Sequence, residues 1–334
     1  MLAYLPYPTW IRPEIIPGLP VRWYGLMYLI AFVITYLLVM RQLKEHKLPP
    51  QRDLVLDMFF WAIVGLLIGA RAFAVTIYDP TGSYLRNPLQ IILPLAVVNG
   101  KLRFTGISGM SYHGGLVGAV VALVIFMRVK KLDILEWGDR LVAGIPLGYT
   151  FGRLGNFING ELYGRITKAP WGIMFPHAET FPGNLPWVRD SAAAMGIPVN
   201  GAAPVNLPRH PSQLYEAFFE GLVLWAILWF ILRKRKPYSG FLIAAYMVGY
   251  GVFRFFIEYV REPDQDIGYP IRLVSLSNPA QFSLLNFTTG QILNALLIAG
   301  GVGVALVASA RARRASSHES RPVLTTRKLR KKLR

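Results

Sequence analysis

The 334-residue sequence contains no cysteine. This absence excludes disulfide bonds, thiolate metal sites and a cysteine nucleophile belonging to the chain itself. Charged residues are also scarce, at 16% of the chain, against about 25% in a soluble domain. Hydrophobic residues make up 53%. The composition therefore predicts a membrane protein.

Acidic residues are the scarcer of the two charge signs, with 18 Asp and Glu against 36 Lys and Arg, a formal net charge of +18. Such an excess suits a protein held against anionic lipid headgroups. A nucleic-acid partner would also explain it, but the basic residues lie in short loops and a tail between apolar runs, as in membrane proteins. We therefore expect membrane lipids, and no nucleic acid, as partners.

Seven apolar runs are close to the length that a helix needs to cross a bilayer, roughly 17 to 25 residues. They lie near 23–41, 54–73, 107–128, 139–158, 214–232, 239–259 and 290–310. The segment 88–99 is shorter and interrupted by proline, so we expect it to be interfacial or re-entrant. The predicted fold is an all-α polytopic membrane protein with about seven transmembrane helices.

Lys and Arg cluster in alternate loops, around 41–52, 128–131 and 233–236, and again in the tail after the last run. The positive-inside rule places these segments in the cytoplasm, with the C-terminus inside and the N-terminus outside. No basic stretch precedes an early apolar run, so we expect the first transmembrane helix to direct membrane insertion.

The loop 159–213 would then be a small cap on the outer side, rich in Pro, Gly and Asn. Residues 1–310 would form one transmembrane domain, and the basic tail 311–334 a disordered cytoplasmic segment.

Ionisable side chains inside apolar runs cost roughly 2.5–3.5 kcal/mol each on insertion, so each one needs an explanation. The first is His113 in SYHGGLVG (111–118). It is either a satisfied interfacial histidine or a base beside a lipid-accessible cavity. Gly114 and Gly118 have the small-xxx-small spacing that lets two helices pack closely.

The second group lies in GRLGNFINGELYG (152–164). Arg153 and Asn156 share one helical face, and Glu161 follows if the helix continues. Gly155 and Gly160 indicate that the helix loosens before the outer surface. Arg153 is either a structural arginine paired with Glu161 or part of a binding site.

The third group, Tyr250, Arg254, Glu258 and Arg261, forms one stripe of an otherwise apolar helix. Arg254 and Glu258 are spaced to neutralise each other. Arg261 and Arg153 would still lack a carboxylate partner, and two such guanidinium groups predict a phosphate ligand.

Two other polar runs have simpler interpretations. Residues 22–24 are predicted to be an interfacial aromatic belt, and RHPSQLYE (209–216) is predicted to start a helix capped by Ser212.

Together, the motifs resemble those of the prolipoprotein diacylglyceryl transferase family. They are RWYGLMY (22–28), SYHGGLVG (111–118), GRLGNFINGELYG (152–164), PWGIMFP (170–176), RHPSQLYE (209–216) and RFFIEYVREPD (254–264). The third motif is the most specific. Two stretches depart from the family pattern: GQILN (290–294) has Asn in place of a serine, and 95–104 is longer and more basic than expected.

The resemblance implies a multi-pass enzyme of the bacterial cytoplasmic membrane whose active site opens toward the outer side. Its partners would be phosphatidylglycerol and a prolipoprotein signal peptide with a lipobox cysteine, and no metal or other cofactor is required. The product would be a diacylglyceryl thioether, with glycerol phosphate released. The family's functional positions correspond here to Tyr24, His113, Arg153, Asn156, Glu161, Gly164, Tyr250, Arg254, Glu258 and Arg261.

Such a reaction needs charge stabilisation on a departing phosphate and a base for the thiol. Arg153 and Arg254 suit the first task, and His113 suits the second. Glu161 and Glu258 would orient the arginines, while Tyr24, Asn156 and Tyr250 would bind the headgroup. The alternative is a transporter for lipids or anionic solutes, which also uses intramembrane arginines and glycine-broken helices.

Overall fold

The computed structural model describes residues 4–8, 10–16, 22–48, 52–77, 95–98, 101–104, 111–263 and 268–319. Within these ranges the chain is mainly helical. The helices are α1 Trp23–Glu45, α2 Arg52–Thr76, α3 Tyr112–Val129, α4 Ile134–Val142, α5 Ile145–Asn159, α6 Pro186–Ala194, α7 Ser212–Arg235, α8 Phe241–Ile257 and α9 Thr289–Glu319.

Short strands form two-stranded sheets among the helices. Leu5–Pro6 (β1) pairs in parallel with Ile173–Met174 (β4), and the other pairs are antiparallel: Leu95–Val98 (β2) with Lys101–Phe104 (β3), Phe181–Pro182 (β5) with Pro204–Val205 (β6), and Ile271–Arg272 (β7) with Asn286–Phe287 (β8). The basic stretch 95–104 thus contains two paired strands, which its sequence did not predict.

Four helical segments are long and apolar enough to cross a membrane: Gly25–Glu45, Arg52–Thr76, Ser212–Arg235 and Thr289–Ala315. The shorter helices α3 and α8 are also apolar. These helices define a polytopic membrane protein, as predicted.

Two predicted boundaries are wrong. The run 139–158 is two helices, because Gly144 precedes α5 and Pro146 occupies its first turn, where proline favours a new helix start. The last helix continues to Glu319, so 311–319 is helical rather than disordered. Ala and Arg are strong helix formers, which explains this extension. Residues 320–334 lie outside the described part.

The chain divides into two compact units, residues 1–38 with 138–334 (the large unit) and residues 39–137 (the small unit). In the small unit, α2 packs against α3 through glycines. A Cβ atom at Gly118 would overlap the carbonyl oxygen of Gly65 and lie 2.8 Å from Cα of Gly69. The predicted close helix packing at Gly114 and Gly118 is therefore present, with α2 as the partner.

In the large unit, α5 packs on α7, and α8 packs on α9. Helix α7 contains two π-helical stretches, Ala217–Val223 and Ile227–Leu232. The carbonyl oxygen of Ala217 accepts a hydrogen bond of 3.2 Å from the Thr150 hydroxyl on α5. A side-chain donor from a neighbouring helix thus supports the irregular backbone where the two helices meet.

The start of α8 is fixed by the buried carboxylate of Asp139, which accepts from the backbone N–H groups of Gly240 at 2.8 Å and Ile243 at 2.9 Å. This carboxylate therefore satisfies N–H groups that lack partners within α8.

The segment 159–213 has an apolar core of its own, in which Val188, Ala192 and Leu207 are fully buried. That core supports an ordered structure for the segment predicted as a cap.

Candidate active site

Three helices of the large unit each contribute two polar side chains four residues apart, which places both on one helical face. These pairs are Tyr149 and Arg153 on α5, Glu216 and Glu220 on α7, and Arg254 with Glu258 at the end of α8. We call these six residues, together with Arg261, the ionic cluster.

Glu216 lies at the centre of the ionic cluster and is completely buried. Its Oε2 atom is 2.9 Å from Nε of Arg153, and its Oε1 atom is 3.0 Å from Nη1 of Arg254. Nε of Arg261 lies 4.0 Å from the same Oε1 atom. One carboxylate therefore contacts three guanidinium groups from two other parts of the chain.

Glu220 is also fully buried and lies one turn further along α7. Its Oε2 atom accepts a hydrogen bond of 2.5 Å from the hydroxyl of Tyr149, and its Oε1 atom is 3.7 Å from Nη1 of Arg254. The Tyr149 oxygen in turn accepts from Nε of Arg153 at 2.7 Å. Tyr149 therefore links Arg153 to the second carboxylate.

Glu258 connects the ionic cluster to the start of α9. Its Oε2 atom is 3.3 Å from Nη2 of Arg254 and 3.7 Å from Nη1 of Arg261. Its Oε1 atom accepts from the Thr288 hydroxyl at 3.1 Å. A Cβ atom at Gly290 would lie 2.5 Å from the same oxygen, so only glycine allows α9 to approach this closely.

Glu161 lies outside the helix that carries Arg153. Helix α5 ends at Asn159, followed by Gly160 in the left-handed region with φ of 67°. The exposed Glu161 carboxylate accepts from Nδ2 of Asn156 at 3.0 Å and from Nδ2 of Asn159 at 3.2 Å. Asn156 is buried, and its Oδ1 atom accepts from Nη1 of Arg153 at 3.4 Å. The Asn156 side chain therefore lies between Arg153 and Glu161.

The turn after α5 is held by the start of α7. The Ser212 hydroxyl donates to the carbonyl of Leu162 at 3.0 Å, and Nε2 of Gln213 donates to the carbonyl of Glu161 at 2.6 Å. The prediction that Ser212 caps α7 is wrong, because the helix begins at Ser212 and Pro211 precedes it without a side-chain cap.

Gly164 and Tyr250 lie at two edges of this region. Gly164 forms a β-bridge with Arg261, and a Cβ atom there would overlap the carbonyl oxygen of Val260. Its backbone therefore needs glycine for close packing. The ring of Tyr250 packs edge-on against that of Tyr149, with 5.8 Å between centroids.

For two predicted site residues the role stays a prediction. His113 is exposed on the first turn of α3, in the small unit. Tyr24 lies in α1, but its side chain is outside the described part of the chain.

The expectation that Arg153 and Arg261 lack carboxylate partners is wrong. Arg153 pairs with Glu216 rather than with Glu161, and Arg261 lies within 4.0 Å of both Glu216 and Glu258. Their shared partner Glu216 belongs to a different helix, so spacing along α5 or α8 could not identify it.

Tyr149, Glu216 and Glu220 were not among the predicted site residues. For the two glutamates a signal was present, since Glu216 and Glu220 are acidic residues four apart in an apolar run.

The apolar helices and the buried ionic cluster define the class, a polytopic membrane protein with charged side chains gathered inside it. The chain belongs to the prolipoprotein diacylglyceryl transferase family, whose pattern matches residues 13–307.

Its relatives include the phosphatidylglycerol–prolipoprotein diacylglyceryl transferases of Treponema pallidum (strain Nichols) and Treponema denticola, each 48% identical. The first alignment covers 94% of this chain and 98% of the relative, and the second covers 92% and 95%. The enzyme of the same name from Chlorobaculum tepidum is 43% identical over 92% of this chain and 93% of its own length. These relatives give the transporter alternative no support.

Proposed function

We propose that this protein transfers the diacylglyceryl group of phosphatidylglycerol to the thiol of a lipobox cysteine in a prolipoprotein signal peptide. The family and the names of its relatives support this activity. A carbon–sulfur bond forms at the glycerol carbon, and the bond from that carbon to a phosphate oxygen breaks. Glycerol phosphate leaves with the electron pair of the broken bond.

One observation carries the site assignment: the guanidinium groups of Arg153 and Arg261 are the most accessible charged groups of the ionic cluster, whereas Arg254 is buried with the carboxylates. The side chains of Arg153 and Arg261 are 13% and 20% exposed, whereas those of Glu216 and Glu220 are 0% exposed. An anion that reaches the cluster therefore meets positive charge first. The buried carboxylates behind it hold the arginines in place and limit the charge of the empty site.

Arg153 and Arg254 would stabilise the negative charge that develops on the departing phosphate, in an environment with little water. Glu258 would orient Arg254 and Arg261, and Glu161 would act on Arg153 through Asn156. Tyr24, Asn156 and Tyr250 would bind the headgroup, and the Gly164 backbone would keep Arg261 in position. His113 would accept the thiol proton.

We further propose seven transmembrane spans with the N-terminus outside and the C-terminus in the cytoplasm, on the basis of the Lys and Arg distribution. Residues 1–310 would be the catalytic domain of an enzyme in the bacterial cytoplasmic membrane, 159–213 its outer cap, and 311–334 its basic cytoplasmic tail. The site would then face the outer side, because the cap precedes α7 and the ionic cluster includes the start of α7.

The test is a reconstituted assay with the purified protein, phosphatidylglycerol vesicles and a precursor peptide containing a lipobox cysteine. Mass spectrometry should detect a peptide that carries one diacylglyceryl group, together with free glycerol phosphate. A peptide with serine in place of that cysteine and vesicles of phosphatidylcholine alone are the controls. An unmodified cysteine peptide after incubation with folded protein would overturn the proposal.

A further inference from the structure

The connection between α8 and α9 exposes large apolar side chains. In residues 268–288, which we call the α8–α9 loop, Leu273 is 68% exposed, Phe282 58%, Leu284 62% and Leu285 54%. Scattered exposed leucines are common, but four large apolar residues on one short loop need a partner.

The backbone of the α8–α9 loop is held by hydrogen bonds within the loop and by one from Tyr259. Asn286 is completely buried; its Oδ1 atom accepts from the N–H groups of Leu273 at 3.0 Å and Val274 at 2.9 Å, and its Nδ2 donates to the Val274 carbonyl at 2.8 Å. The Tyr259 hydroxyl donates to the carbonyl of Leu284 at 3.1 Å. The apolar side chains are therefore presented on an ordered backbone.

Large apolar side chains are also exposed at the start of the helix that follows the loop. Helix α9 starts at Thr289 and exposes Leu293 (46%) and Leu296 (64%) within its first turns. This helix is one of those long and apolar enough to cross a bilayer. Because the α8–α9 loop leads directly into this helix, the bilayer is the apolar partner nearest to the loop in the chain.

The charge of the α8–α9 loop also suits a lipid bilayer as its partner. Arg272 is the only charged residue among 268–288, and it is exposed beside Leu273. A basic side chain next to exposed apolar groups suits the level of anionic headgroups, with the apolar groups in the acyl region below.

We propose that the α8–α9 loop inserts Leu273, Phe282, Leu284 and Leu285 into the lipid leaflet, with Arg272 at the headgroup level. The Thr288 hydroxyl at the end of this loop binds the Glu258 carboxylate. Insertion of the loop would therefore hold Glu258, a member of the ionic cluster, near the membrane surface. This inference concerns contact with the bilayer itself and does not depend on the transferase activity.

The absence of cysteine allows a direct test, since an engineered cysteine is the only thiol in the chain. Leu284→Cys is labelled with an environment-sensitive nitrobenzoxadiazole fluorophore, and the full-length protein is reconstituted in mixed phosphatidylcholine–phosphatidylglycerol vesicles. The matched control is Ala193→Cys, an exposed residue on α6 in the segment 159–213. Leu273→Cys provides a second position on the loop.

We expect the fluorescence emission of both loop probes to be blue-shifted. Lipids with a doxyl group near the headgroup should quench this fluorescence, and iodide in the aqueous phase should not. The Ala193 probe should be quenched by iodide and not by doxyl lipids. Loop probes that behave like the Ala193 probe would overturn the proposal. So would a loop signal that becomes apolar only after precursor peptide is added, because the peptide would then be the partner. An inserted loop in a protein without transferase activity would refute the proposed function alone.

Discussion

Arg153 is the residue whose chemistry can be tested most directly. Its Nε atom contacts both Glu216 and Tyr149, and these contacts orient the planar guanidinium group. Lysine carries the same charge but cannot make the paired contacts of a guanidinium group to a phosphate. We expect Arg153→Lys to lower turnover by about 10²–10³-fold, the cost of losing a group that stabilises transition-state charge.

Turnover in the reconstituted assay measures this effect. Arg189→Lys is the matched control, because Arg189 is an exposed arginine on α6 and should tolerate the same change. Wild-type turnover by a folded Arg153→Lys protein would remove Arg153 from the catalytic site.

Glu216 and Glu220 allow a comparison of two buried carboxylates on one helix. Glu216 contacts Arg153, Arg254 and Arg261, whereas Glu220 contacts only Arg254 among these arginines. Removing one partner of a buried ion pair costs about 3–5 kcal/mol. We therefore expect Glu216→Gln to lower both the stability and the turnover of the protein, and Glu220→Gln to have a clearly smaller effect on both.

Thermal unfolding in detergent and turnover after reconstitution measure the two effects. If Glu220→Gln proves the more damaging substitution, Glu216 is not the central partner of the arginines.

The positions of several site residues were predictable at this scale, but their partners were not. Arg153, Arg254, Glu258 and Arg261 stood out because a charge in an apolar run is costly wherever the helix packs. Which carboxylate neutralises Arg153 depends on the packing of α7 against α5. Local spacing favoured Glu161, but α5 ends at Asn159 and Gly160 turns the chain, so Glu161 contacts Asn156 instead.

At the scale of elements, the small unit depends on close contact between α2 and α3. A methyl group at Gly118 would overlap the carbonyl of Gly65, whereas one at Gly115 would make ordinary contacts, 3.4 Å from the Leu66 side chain and 3.5 Å from that of Ala70. We expect Gly118→Ala to lower stability by about 1–3 kcal/mol, the usual cost of overpacking. Gly115→Ala, three residues away on the same helix, should be close to neutral.

Thermal unfolding of both variants in detergent tests this prediction. Equal unfolding temperatures for the two variants would contradict the close approach of the helices at Gly118.

Apolar runs predicted most of the long helices, since a run that must lie in a bilayer has to satisfy its backbone hydrogen bonds internally. They did not predict the break between α4 and α5, where a glycine and a proline interrupt a run that remains apolar. The π-helical stretches of α7 were also missed. They involve contacts with another helix, such as the hydrogen bond from Thr150 to Ala217.

At the scale of the whole molecule, the proposed topology places the basic tail in the cytoplasm. We expect a single cysteine introduced at Ser320 to be protected from a membrane-impermeant maleimide added to intact cells, and to react after the membrane is opened. A single cysteine at Ala193 should react in intact cells, because the proposed cap is outside. Labelling of the Ser320→Cys protein in intact cells would show that the topology is reversed.

The sequence alone determined that this is a polytopic membrane protein of the diacylglyceryl transferase family, because apolar length, loop charge and short motifs are properties of contiguous residues. Only the tertiary structure decided how the charges are arranged. Glu216 and Glu220 lie on α7, far along the chain from Arg153 on α5. Packing of these two helices nevertheless brings Glu216 into contact with Arg153. A buried ion pair forms between whichever side chains helix packing brings together, and sequence spacing reports such neighbours only within one helix.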